Sequence, residues 1–125
     1  MLEEIIVTVP DKKGALADLG ELLGNRGVNI ETLSASTHNG QGVIHLVVDD
    51  EEDAAELIKS AGYDIAGTRQ VLVVTLDDRP GALGGYCRRL ADFGIHISAA
   101  YVARRSAGET EVILAVDDLE QARKA

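Results

Sequence analysis

Asp78-Arg79-Pro80-Gly81-Ala82-Leu83 decides the fold, because Asp11-Lys12-Lys13-Gly14-Ala15-Leu16 states the same pattern 67 residues earlier. The spacing holds outward from both stretches. Ile5-Ile6-Val7-Thr8-Val9 aligns with Leu72-Val73-Val74-Thr75-Leu76, and Gly27-Val28-Asn29-Ile30 aligns with Gly94-Ile95-His96-Ile97. Farther on, Val48-Asp49-Asp50 matches Val116-Asp117-Asp118 at a spacing of 68. The extra residue is expected in the loop chemistry of residues 40–42 and 107–109, where insertions are tolerated. Self-similarity at a fixed period means a repeated structural unit. Two copies are expected, over residues 1–67 and 68–125.

Each copy reads strand, helix, strand, strand, helix. Residues 5–9 are apolar and β-branched, as suits a strand covered on both faces. In the helix that follows, Leu16, Leu19, Gly20 and Leu23 recur at helical spacing, with Leu83, Tyr86, Cys87 and Leu90 in the second copy. Both stripes are expected against a sheet. Gly27 and Gly94 supply left-handed helix ends. A second strand is expected over about 28–37 and 95–104, and a third, after a glycine-containing hairpin, over 43–48 and 111–116. The acidic start of residues 51–61 suits a second helix. Residues 63–69 read as a fourth strand running almost directly into Val71. The second copy has no sequence for that strand, so one sheet edge is expected open, or filled by another segment or chain. Ile44, Leu46 and Val48, and Val112, Leu114 and Val116, are expected to face the helices. The alternate residues, Val43, His45 and Val47 with Glu111, Ile113 and Ala115, are still mostly apolar, so the second face is expected to be partly covered.

Composition narrows the function. The chain of 125 residues carries 12 Lys+Arg against 21 Asp+Glu, a net charge of −9, and 46% of it is hydrophobic. That is ample for a packed core. It leaves no basic surface for phosphates, and one Phe, three Tyr and no Trp make no base-stacking platform. No nucleic-acid partner is expected. Cys87, the single cysteine, has no partner for an intrachain disulfide, which fits a reducing compartment. Met1-Leu2-Glu3-Glu4 lacks the basic start of a signal peptide, and the apolar runs are strand-sized. A cytoplasmic location without a membrane partner is expected.

The ordered set of Asp-x-x-Gly-Ala-Leu, amphipathic helix, Gly-(Val/Ile)-x-Ile, hairpin and Val-Asp-Asp, present twice, resembles the ACT domain. The second signature, with Pro80, is the closer match; the first lacks the proline. The resemblance implies an α+β fold of two tandem ferredoxin-like βαββαβ domains, the second without its last strand, with antiparallel sheets and helices on one face. It also implies a non-catalytic regulatory protein that binds a small ligand, usually an amino acid, where two such units meet. A homodimer is expected, with no cofactor. Carried over residue by residue, the ligand positions are Asp11, Gly14, Ala15, Leu16, Asn29 and Ile30. In the second copy they are Asp78, Gly81, Ala82, Leu83, His96 and Ile97. His96 departs from the amide that Asn29 keeps.

Chemistry supports the glycine bends on separate grounds. A strand turning at glycine into a helix leaves backbone N–H groups at the positive helix end, suited to an α-carboxylate. Asp11 and Asp78 suit an α-ammonium group, although helix capping and turn chemistry explain an aspartate there equally well. Cys87 takes the place of Gly20, so a buried structural thiol is favoured over a nucleophile. His38, His45 and His96 lack metal-ligand spacing, and the acidic run from Asp49 to Asp53 opens a helix rather than binding a cation. Gly81, Gly84 and Gly85 do not form a nucleotide-binding fingerprint. Two further functions remain in play: a regulatory subunit or oligomerisation adaptor of an amino-acid biosynthetic enzyme, and, more weakly, an acylphosphatase-like enzyme on the same topology.

Overall fold

The computed structural model describes residues 2–125, which divide into two compact units, Glu3–Arg69 and Gln70–Ala125, the latter joined by Leu2. In the first unit the elements are β1 (Glu3–Pro10), α1 (Ala15–Gly24), β2 (Ile30–His38), β3 (Gln41–Val48), α2 (Glu51–Ser60) and β4 (Asp64–Gln70). In the second they are β5 (Leu72–Asp77), α3 (Ala82–Asp92), β6 (Ile97–Ser106), β7 (Glu109–Val116) and α4 (Leu119–Lys124). The first sheet has the order β2-β3-β1-β4 and the second the order β5-β7-β6. The fold is therefore α+β, with two ferredoxin-like units, the second lacking its fourth strand.

Strand alternation builds each core. Ile5, Val7 and Val9 of β1 and Ile44, Leu46 and Val48 of β3 pack with Leu19, Leu23, Ala54 and Ile58 from the two helices. In the second unit Leu72, Val112 and Leu114 pack with Tyr86, Leu90 and Ala122. The helices end as their glycines require: Gly27 and Gly94 have φ of +74° and +75°. Val28 and Ile95 then donate back to the Leu23 and Leu90 carbonyls, each at 3.0 Å. On the face turned from the helices, Val47 is fully buried and Ile113 and Ala115 are each 1% exposed.

Two sequence expectations need correction. Leu16 and Leu83 do not join the core stripe; they are 44% and 47% exposed, and Ala15, Leu19 and Leu23 form the buried face of α1 instead. Leu19 and Leu23 keep their expected places, and Ala15, one turn before Leu19, completes the face in place of Leu16. The inserted residue is also not in a hairpin loop. Asn39-Gly40 and Ala107-Gly108 are equivalent turns, with φ of +52° and +78° in the first and +52° and +79° in the second. The additional residue sits within β6, ten residues long against nine in β2, where the register with β7 shifts between Val102 and Arg104. A bulge absorbs one residue without disturbing the turn. Thr37, opposite Gly42, therefore has Arg105, opposite Thr110, as its counterpart.

The first unit also buries charge. Glu4 is fully buried, with Arg69 Nε 2.6 Å from Oε1 and His45 Nδ1 3.1 Å from Oε2. A carboxylate removed from water needs such partners, since an unpaired buried charge costs several kcal/mol. The cluster ties β1 to β3 and β4.

Candidate ligand site

The chain from β1 to α1 makes two tight turns before the helix. Lys12 N–H donates to the Pro10 carbonyl at 3.0 Å, and Ala15 N–H donates to the Lys12 carbonyl at 3.3 Å. Gly14, with φ +85° and ψ −5°, then starts α1 with no side-chain cap. Gly81 repeats this at φ +87° and ψ −13°. A Cβ added at either glycine meets nothing within 4 Å, so backbone conformation rather than space demands glycine there. The other two helices start differently: Asp50 accepts from Asp53 N–H at 3.1 Å and Asp118 from Gln121 N–H at 3.0 Å. Asp11 and Asp78 therefore do not cap their helices.

Beside the first bend lies a cavity of about 180 Å³, open to solvent. Asp11, Lys12, Ala15 and Leu16 line it from one side, and Ala35 and Gly42 from the sheet. Its lining is mostly apolar, and Asp11, Lys12, Ser36 and Thr37 are its polar residues. Leu16, lost from the core, rims this cavity. The second unit places Asp78 and Leu83 at a smaller cavity of about 110 Å³, together with Val102, Arg105 and Thr110. Gly81 and Ala82 instead line a separate open hollow of about 410 Å³ with Tyr86 and Arg89. There the Arg89 guanidinium lies 5.2 Å from the Tyr86 ring centroid. Burial pushes the Tyr86 phenol above its usual range, and the Arg89 charge opposes that shift.

Residues 4–61 match the family model of the ACT domain. The first unit is an ACT domain. Solved structures share the two-unit fold. A protein from Bacteroides thetaiotaomicron superposes with a TM-score of 0.89 at 18% identity, covering 99% of this chain and 85% of that one. The regulatory subunit of aspartate kinase from Thermus thermophilus gives a TM-score of 0.72 at 17% identity, covering 90% and 82%. The same subunit from Thermus flavus gives 0.72 at 18% identity, with the same coverage. At these identities the likeness establishes the fold. No curated protein matches the chain.

The remaining ACT positions lie elsewhere. Asn29 N–H donates to Asp49 Oδ1 at 3.1 Å, and His96 N–H donates to Asp117 Oδ1 at 3.0 Å, so both precede strands whose first residues pair with the end of the hairpin. Ile30 and Ile97 pack against the cores. Ile30 pairs with Val48 and Thr37 with Gly42, which puts Asn29 and the Gly14 bend at opposite ends of the sheet. Seven residues of strand separate them, about 23 Å. One unit does not bring the two sets together. Ala35, Ser36, Thr37 and Gly42 are cavity residues that sequence reasoning missed. Gly42 left a readable signal, since an isolated glycine inside a strand marks a close approach. Its added Cβ would lie 2.8 Å from Val9 Cγ2. Among the described residues no helix is long and apolar enough to cross a membrane.

Proposed function

We propose that this chain is a non-catalytic regulatory protein that binds an amino acid at paired ACT units. The observation that carries this reading is the first bend: a left-handed, uncapped helix start beside an apolar cavity whose rim holds Asp11 and Lys12. An α-ammonium group suits Asp11, and an α-carboxylate suits Lys12 and the backbone N–H groups at the helix start. The cavity is smaller than the 300–1,000 Å³ of sites for drug-sized ligands, which favours a small metabolite. Because Asn29 lies a strand length from the bend, a ligand that uses both takes one of them from the first unit of a second chain. Binding there favours the arrangement that brings those units together, and that differential affinity is the signal.

A role as regulatory subunit of an amino-acid biosynthetic enzyme is the second reading, favoured by the similarity to aspartate kinase regulatory subunits. Calorimetry and thermal shift on the full chain against each standard amino acid test the first reading. Saturable binding with a raised melting temperature supports it, and a folded protein that binds none of them rejects it. Size-exclusion chromatography with light scattering, with and without the ligand found, tests the homodimer.

A further inference from the structure

Position by position, the two bends are not equivalent. Ala35, opposite Ile44 in the first unit, is replaced by Val102, opposite Val112. Gly42, opposite Val9, is replaced by Thr110, opposite Leu76. Both changes add side-chain volume to the sheet side of the cavity, which falls from about 180 Å³ to about 110 Å³. A Cβ at Gly42 would lie 2.8 Å from Val9 Cγ2, so a side chain there would displace Val9, which lines the same cavity.

Charge differs in the same direction. Asp78 Oδ1 lies 4.0 Å from Arg105 Nε, and Asp77 Oδ2 lies 3.4 Å from Arg79 Nε, so the acids of the second bend are accompanied by guanidinium groups of their own unit. Thr37 stands where the second unit has Arg105. Among the described residues Asp11 takes part in no salt bridge. An incoming ammonium group therefore meets a carboxylate without a guanidinium partner at the first bend, where the base on the same rim is Lys12.

We infer that the first bend alone is the amino-acid site, that its ligand has a short aliphatic or hydroxylated side chain, and that Ala35 and Gly42 set the size limit. This rests on the amino-acid-binding reading above. Ala35 is exposed on an edge strand, where a β-branched residue is well tolerated, so Ala35→Val narrows the cavity without threatening the fold.

The test is calorimetry on the full chain with glycine, alanine, serine, threonine, valine, leucine and phenylalanine. The expected result is one ligand per chain, with affinity falling at least tenfold from the best short side chain to phenylalanine. Ala35→Val is expected to weaken the best ligand at least tenfold with an unchanged melting temperature, whereas Ala35→Ser retains binding. Two equivalent sites per chain, equal binding of phenylalanine, or an Ala35→Val variant that binds as well as the parent would overturn the inference and leave the amino-acid reading standing. No binding by any of the standard amino acids overturns both.

Discussion

The unit Glu3–Arg69 and the unit Gln70–Ala125 share a sequence pattern, yet only the first has a fourth strand and buried charge. Glu4 of β1 has Val71 as its repeat counterpart, and His45 of β3 has Ile113. Where β4 lies beside β1, Arg69 supplies a guanidinium and a buried carboxylate is sustained. Where no fourth strand is present, the two positions are apolar and nearly fully buried, with Val71 3% and Ile113 1% exposed. The difference teaches that this ion cluster belongs to the attachment of β4 rather than to the repeated fold itself. Burying ions gains little over burying hydrocarbon, but breaking the set is expensive.

That contrast is most severely tested at Glu4. Glu4→Ala leaves Arg69 and His45 without their carboxylate and is expected to cost about 3–4 kcal/mol in urea denaturation. Replacing the whole cluster on the pattern of the second unit, with Glu4→Val, His45→Ile and Arg69→Met together, is expected to cost less than half as much. A triple variant less stable than Glu4→Ala would break the comparison.

Next in size is the helix phase common to both units. Leu19→Ala empties a fully buried position and is expected to cost about 3 kcal/mol. Leu16→Ala and Leu83→Ala, at exposed positions, are expected to stay within about 0.5 kcal/mol in the same measurement. Gly14→Ala and Gly81→Ala each force a side chain into the left-handed region and are expected to cost about 1 kcal/mol by thermal melting. Similar losses at the two glycines would sharpen the view that the bends share a backbone and differ only in side chains.

The hairpins offer a gain. Ala107 holds the positive φ that Asn39 holds in the first unit, so Ala107→Asn is expected to stabilise by about 0.5 kcal/mol. The smallest effect expected is at Glu51, which has no acidic counterpart in the second unit, where Leu119 opens α4. The Glu3 carboxylate, hydrogen-bonded to Glu51 and repelling its charge, raises the Glu51 pKa above the usual 4.5. A raised folded-state pKa means that the folded chain binds the proton more tightly. This contribution is present at acid pH and is lost as pH rises through the carboxylate range. Glu51→Gln should therefore flatten a shallow decline in stability just above pH 4.5, a change read from melting curves across that range.

Much of this was legible in the chain itself. Residues 5–9 and 72–76 announced strands, the first central in its sheet and the second at an edge, and Gly27 and Gly94 ended helices where a left-handed residue is needed. The site was half legible. Asp11, Ala15 and Leu16 lie on one stretch of chain, Asp11 legible from turn chemistry and Ala15 and Leu16 from the resemblance to the ACT domain, whereas Ala35 and Gly42 reach the same cavity only because β2 and β3 pair beside β1.

Periodicity fixes which residues share a face, because 3.6-residue and two-residue repeats follow from backbone geometry alone. It does not fix which residue at the edge of an apolar stripe is buried, and Leu16 and Leu83, in the first turn of their helices, lie exposed while Leu19, Leu23, Tyr86 and Leu90 hold the core. Nor does it say where an inserted residue goes, since a bulge in β6 and a longer loop leave the same spacing in the sequence. The depth of a cavity and the partner of a buried carboxylate belong to tertiary structure for the same reason: both depend on side chains distant along the chain, placed by strand pairing that no local pattern records.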